Sequence, residues 1–182
     1  MNIRLHRFLR EDCGRLTAWI RNPAELVLWS ACTFTFPLTE EQLERHVMAS
    51  SRSESRRLMF KAVDEDCGAV AGHIEITRID VDKKKASIAF VLVDPARRRE
   101  GIGKRIVALA LEKTFDQMNV DTVDLFVFDF NIAAIGCYES LGFHTEQLIK
   151  DTVAIDGTFQ NLRLMSLRKE RWRGGRTVDQ VL

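Results

Sequence analysis

The spacing of apolar positions changes along the chain, and each change marks an element. Ile3 and Leu5 alternate with Arg4 and His6, the period of two that a half-buried strand requires, and a short strand is read over Ile3 to Phe8. Leu16, Trp19 and Ile20 then recur at helical spacing as far as Asn22-Pro23, where the residue before proline is driven out of the helical region and an interruption is expected. Thr39 opens the run T-E-E-Q, a capping box in which Thr39 and Gln42 satisfy each other's free amides ahead of a helix over Leu43 to Met48. The first third is therefore read as mainly helical.

Three strands follow, Leu58 to Val63, Val70 to Ile79 and Ala86 to Val93, with turns marked by Asp66, Gly68 and Lys83-Lys84-Lys85. The third, A-S-I-A-F-V-L-V, is apolar on both faces and suits a central strand covered above and below. The period then lengthens to nearly four: Ile102, Ile106, Val107, Ala110, Leu111, Phe115 and Met118 form one stripe on a helix. Val123 to Phe128 reads as a buried strand, Ile132 to Leu141 as a short helix, and two last strands flank the turn pair Asp156-Gly157. No repeat or linker divides the chain, so one domain over 1–182 is expected, with 170–182, around Gly174-Gly175, as a tail.

Composition adds mainly exclusions. With 46% hydrophobic and 29% charged residues the 182-residue chain has a globular profile. Lys and Arg number 27 against 26 Asp and Glu, so the net charge of +1 gives no support for a nucleic-acid partner. Cys13, Cys32, Cys67 and Cys137 are scattered singly, which signals neither a metal site nor a disulfide framework and points to a reducing cytoplasm. The start MNIRLHRFLRED has no apolar leader core, and no stretch approaches a membrane span, so no membrane partner is expected.

Chemistry concentrates in D-P-A-R-R-R-E-G-I-G-K, between the central strand and the long helix. Gly101 and Gly103 let the backbone approach a ligand, the opening helix amides point at it, and Arg97, Arg98, Arg99 and Lys104 add cationic charge. A diphosphate suits such a seat, although a glycine turn with a solvated basic run remains the alternative. A Walker A loop needs glycine where Arg98 stands, and a dinucleotide fingerprint needs one at Ile106, so both are excluded.

Arg98, Gly101 and Gly103 match R/Q-x-x-G-x-G/A, flanked by Val93, Pro95 and Ile102, and further on Asn131 precedes Tyr138-Glu139-Ser140-Leu141-Gly142-Phe143. From about Leu58 to Leu167 the chain thus resembles the GNAT superfamily of acyl-CoA N-acyltransferases, and its front end, with Trp19, Trp29 and F-T-F-P-L-T, resembles the RimJ/RimL-like branch. One departure is Arg99, where many relatives carry glycine. The resemblance implies an α/β (α+β) fold, a mixed, mostly antiparallel sheet flanked by helices, with central strands splayed around acetyl-CoA. It also implies pantetheine against Leu92 and Val93, diphosphate over Arg98, Arg99, Gly101, Ile102, Gly103 and Lys104, and Asn131 and Tyr138 along the same cofactor. Independently, Asn131 and Tyr138 lie seven residues apart, two turns along one helix face.

The implied reaction is attack of a free amine on a thioester. Tyr138, the one tyrosine of the chain, can protonate the leaving thiolate because a phenol of reference pKa ~10 keeps its proton at neutral pH. Glu75, which shares a strand face with His73, is the candidate base acting through water, the alternative being two polar residues on a solvated face. Trp29, Phe34 and Phe36 are candidates to line the acceptor pocket, or else form a satellite core. Cys137 points about 100° away from Tyr138 around the helix and is set aside as a nucleophile, and His6, His46 and His144 are read as structural. The expected partner is an amine, a protein N-terminus or a small molecule, for a monomeric or homodimeric acetyltransferase. A non-catalytic acyl-CoA-binding module is the competing reading.

Overall fold

The computed structural model describes residues 1–52, 55–155 and 157–172. Seven strands form one sheet: β1 (Ile3–Arg7), β2 (Leu58–Asp64), β3 (Ala69–Asp80), β4 (Lys85–Val93), β5 (Thr122–Phe128), β6 (His144–Ile155) and β7 (Thr158–Arg168), in the spatial order β1-β2-β3-β4-β5-β7-β6. Every neighbouring pair is antiparallel except β4 and β5. A parallel pair needs a crossover, and helix α4 (Ile102–Gln117) supplies it. Pairing between β4 and β5 is confined to Lys85 with Thr122, Ala86 with Val123 and Ser87 with Asp124. Beyond Ser87 the two strands part, so the sheet opens at its centre. This is the mixed, mostly antiparallel sheet with splayed central strands that the sequence implied.

Strand alternation assigns the two faces. Ile74 and Ile76 of β3 point toward α4, where Ile102, Ile106, Ala110, Leu111 and Phe115 complete the larger core, all of them essentially without exposure. On the other face Leu16 and Trp19 of α1 (Cys13–Trp19), Leu26 and Trp29 of α2 (Pro23–Ser30), and Leu43 of α3 (Glu40–Ser50) form a second core. Each such side chain contributes roughly 1.5–3 kcal/mol relative to exposure, which is how a sheet opened in the middle stays together. The last helix, α5 (Ile132–Glu139), buries Ile135 on the α4 side.

Two local expectations change in the structure. Asn22-Pro23 does interrupt the first helix, but it also starts the next one: the Asn22 side chain accepts the Glu25 amide at 2.9 Å, and Pro23 occupies the first helical position, where a missing N–H costs nothing. The capping box at Thr39 is only half formed. Thr39 accepts the Gln42 amide at 3.3 Å, whereas the Gln42 carboxamide donates to the carbonyls of Thr35 at 3.1 Å and Pro37 at 3.0 Å, clamping the preceding loop instead. Gly157 adopts φ 76°, as a tight hairpin turn requires; Asp156 and the Gly174-Gly175 tail lie outside the described residues. No helix among the described residues is long and apolar enough to cross a membrane.

Candidate active site

Where β4 and β5 part, a cleft of about 1500 Å³ opens. Leu92, Val93, Arg98, Arg99, Gly101, Ile102, Gly103, Lys104, Asn131 and Tyr138, dispersed over the sequence, all line it. The outer edge of β4 past Ser87 has lost its strand partner, which leaves backbone polar groups there for a ligand. At the far end α4 begins at Gly101, held at φ 78° with no side-chain cap. The amides of Ile102, Gly103 and Lys104 therefore have no intrahelical acceptor. A methyl group on Gly101 would meet nothing within 4 Å, and one on Gly103 would only touch Val93 Cγ2 at 3.5 Å, so both glycines present bare backbone to the cleft. Free amides, the positive end of a 16-residue helix, and Arg98, Arg99 and Lys104 together fit a diphosphate. Arg97 is committed elsewhere, to Asp64 at 2.8 Å and Glu100 at 3.2 Å. Arg99 adopts φ 71°, the left-handed region that favours glycine.

Asn131 caps α5 by accepting the Ala134 amide at 3.2 Å, so it fixes the start of the helix that carries Tyr138. The Tyr138 ring packs edge-on against Phe143 at 5.9 Å. Burial pushes its phenol pKa up, and the hydroxyl keeps its proton throughout the neutral range. Cys137 next to it is a thiol also raised by burial, an effect that nearby Lys104 only partly counters, in keeping with its exclusion as a nucleophile.

On the other side of the central strand, β4 carries a bulge. The advance of three positions on β4 from Ala89 to Leu92 is matched by only two on β3, from Glu75 to His73, so β4 carries one extra residue, and Phe90 adopts φ 52°. The Trp29 indole donates to the Phe90 carbonyl at 2.9 Å, while its ring stacks on Phe34 at 5.6 Å and meets Phe90 edge-on at 5.5 Å. Trp29 and Phe34 are thus brought together, with Trp29 in the cleft wall. Phe36 is not: it is 45% exposed and outside that wall.

Glu75 and His73 do not lie on a solvated face, for both are fully buried beneath the helical layer. His46 Nε2 lies 2.9 Å from Glu75 Oε1, His73 Nε2 is 3.3 Å from the same oxygen, and Arg57 Nε is 3.5 Å from Oε2. Burial by itself raises the Glu75 pKa, but the hydrogen bonds and charge of His46 and His73 more than offset it and hold the carboxyl below its ordinary range. His46, expected to be structural, is a hydrogen-bond partner of Glu75. Its position three residues after the fully buried Leu43 was the available signal, since the two share a helix face. Arg57 packs its Nη1 2.8 Å from His46 Nδ1 and lines the cleft, whereas Glu75 does not. No local motif announced Arg57 or Phe90.

A parted strand pair, an uncapped helix start at one end of the gap and a protonated phenol on its wall make up the arrangement that the resemblance implied for an acyl-CoA-dependent acyltransferase. The sequence profile of the acetyltransferase (GNAT) family matches residues 23–143, and the chain belongs to that family. Over 171 residues, 94% of this chain and 90% of the other, it is 20% identical to spermidine N(1)-acetyltransferase of Vibrio cholerae. It is 43% identical over 51 residues, 28% of this chain and 17% of the other, to mycothiol acetyltransferase of Salinispora tropica. A crystal structure of the Vibrio cholerae spermidine N-acetyltransferase in complex with CoA and spermine superposes with a TM-score of 0.82 at 19% identity, covering 93% of this chain and 96% of that one. That likeness establishes a shared fold.

Proposed function

We propose that this protein transfers an acetyl group from acetyl-CoA to a primary amine by direct attack within the central cleft. The observation that carries the reading is the joint placement of the uncapped α4 start, the unpaired edge of β4 and Tyr138 around one opening. Acetyl-CoA, held by Leu92, Val93, Asn131 and the Arg98–Lys104 turn, supplies the acetyl group as a thioester. The bulged strand at Phe90 offers backbone donors where negative charge develops on the acyl oxygen. Tyr138, kept protonated by burial, gives its proton to the departing sulfur. Glu75 is ionised and remains the candidate for the amine proton. Because it lies behind the cleft wall, its route runs through water or through His46 and not by contact.

The named relatives acetylate small molecules, which favours a small-molecule amine, with a protein N-terminus as the second class of acceptor. The aromatic front end supports placing the chain in the RimJ/RimL-like branch, and the isolated cysteines support a cytoplasmic setting. The test is thiol release from acetyl-CoA against an amine panel. At least one amine is expected to stimulate release, and Tyr138→Phe to lower kcat by about 10²-fold or more with acetyl-CoA affinity retained. Tight CoA binding with no release for any amine would favour the acyl-CoA-binding module, and a wild-type kcat in Tyr138→Phe would return that residue to packing.

A further inference from the structure

The cations of the cleft fall into two groups. Arg98, Arg99 and Lys104 stand by the Val93 end of β4, while Arg56, Arg57 and Arg78 line the other end, where Thr77 of β3 pairs with Ser87. The strand itself separates them: Gly72 pairs with Val93 at one end and Thr77 with Ser87 at the other. The second group is therefore out of reach of the seat assigned to the diphosphate.

Arg78 is at that end because the strand is broken to put it there. Ile74 and Ile76 face the larger core, and unbroken alternation would send residue 78 into it as well. Instead the register runs from Thr77–Ser87 to Asp80–Lys85, one residue too many on β3, and Ile79 takes the next place against that core. The extra residue is Arg78, at φ 49°, and it is turned to the open face. There its guanidinium sits 5.1 Å from the ring centre of Phe126, which belongs to β5 on the far side of β4 and is itself 41% exposed. A left-handed arginine costs energy that a glycine or an asparagine would largely avoid.

Among the described residues, the two acids that line the cleft, Asp80 and Glu25, are already hydrogen-bonded. Asp80 pairs with Lys83 at 3.3 Å and Arg56 at 3.5 Å, and Lys83 holds its carboxyl below the usual range. Glu25 accepts the Arg21 amide at 2.8 Å, and Arg57 is paired with the buried Glu75. Arg78 has no carboxylate partner among the described residues and rests on an aromatic ring. Arg56 is held beside it, its carbonyl accepting the Ile79 amide at 3.1 Å.

We infer that the acceptor carries, besides its reacting amine, an oxyanion, a carboxylate or a phosphate, and that Arg78 binds it. A guanidinium offers paired donors that match either group, and the neighbouring Arg56 and Arg57 raise the potential that draws it in. The same three side chains repel a polyamine, whose further ammonium groups would enter an end of the cleft where, among the described residues, arginines outnumber the carboxylates in the lining. The inference rests on the acetyltransferase reading given above.

The test compares matched acceptors by thiol release from acetyl-CoA: an amino acid against the amine left by its decarboxylation, O-phosphoethanolamine against ethanolamine, and spermidine. The wild-type protein is expected to favour the anionic member of at least one pair by about tenfold or more in kcat/KM, and which pair responds identifies the anion. Arg78→Gln should lower kcat/KM for that acceptor about 10- to 100-fold more than for its partner without the anion, the effect of a lost charge-assisted contact, with acetyl-CoA affinity retained. Arg78→Lys should recover part of it. A wild-type preference for spermidine or for the amines without the anion, or an equal fall for both members of the pair in Arg78→Gln, would overturn the inference and leave the acetyltransferase reading intact. Absence of release with every acceptor would remove both.

Discussion

Gly72→Ala probes how the cleft wall is built. Gly72 sits on β3 opposite Val93, at the end of β4 where the cofactor is expected. A methyl group placed there would come 2.4 Å from Ile106 Cδ1 and 2.6 Å from the Leu92 carbonyl oxygen. The first contact could be eased by turning the isoleucine, but Ile106 has no exposure and its neighbours fill the space. The second is with backbone, so β4 itself has to move. Overpacking of this kind costs about 1–3 kcal/mol, and a backbone clash places it at the upper end; the lower entropy of the unfolded alanine chain returns ~0.4–1 kcal/mol. A net loss of about 2 kcal/mol should lower Tm by roughly 4–8 °C in a chain of this size. Because Leu92 lines the cleft, acetyl-CoA affinity should fall in the same variant. Ile106→Val removes the Cδ1 contact and leaves the carbonyl one, so the double variant should recover only part of the loss, read as the coupling in a double-mutant cycle. A Tm within about 2 °C of wild type for Gly72→Ala would refute the close approach of β3, β4 and α4 on which the argument rests.

Gly103→Ala should do the reverse: its methyl meets Val93 Cγ2 at an ordinary 3.5 Å, so helix propensity adds up to about 1 kcal/mol of stability while the methyl obstructs the diphosphate seat. Calorimetry showing both a higher Tm and weaker CoA binding is the expected result, and unchanged affinity would sink it. Trp29→Phe retains a ring against Phe34 and Phe90 but leaves the Phe90 carbonyl without its donor, at a cost of about 1–3 kcal/mol. Its kcat should fall more than its CoA affinity, and equal losses would mean that the bulge does not hold the reacting group. Glu75→Gln should destabilise the protein at pH 7. The Glu75 pKa is lowered in the fold, so its contribution is present above the unfolded carboxylate value of about 4.3 and is lost as pH falls further. The gap between variant and wild type should narrow in denaturation below about pH 4, and a gap that widens there would show that the shift has the opposite sign.

That the glycine turn and the Asn131 helix border one cleft was legible in the sequence because their determinants are local. Arg98, Gly101 and Gly103 lie within one turn and the start of one helix, and the seven-residue spacing of Asn131 and Tyr138 is a property of a single helix face. The side proposed for the acceptor was less so, because His46 comes from α3, Arg57 from the segment leading into β2 and Glu75 from β3, and only tertiary packing brings them together. Strand breaks were hidden too. The run A-F-V-L-V is as apolar in a regular strand as in one that turns at Phe90, and nothing in T-R-I-D distinguishes Arg78 as the residue that will be turned out. Phe34 and Phe36 illustrate the remaining difficulty: two residues apart in one aromatic segment, one stacks on Trp29 and the other faces solvent.

Left-handed backbone at residues other than glycine gathers around the opening. Ala31, Arg78, Phe90 and Arg99 all line the cleft, whereas Lys84, Asn119 and Asp151 fall at a turn, a helix exit and a strand irregularity. Such a conformation costs an ordinary residue roughly 1–2 kcal/mol, so four of them around one cleft are not free of consequence for a marginally stable chain. Arg78 and Phe90 each mark an interruption of a strand that borders the cleft. An unbroken β3 would bury Arg78 in the larger core. The two cores on opposite faces of the sheet supply the stability that lets these interruptions persist. It follows that substitutions restoring regular strand geometry at Phe90 or Arg78 would raise stability while reducing turnover, and that the acceptor end, where two of the four residues carry the chemistry assigned above, would be the first part of the site to fail.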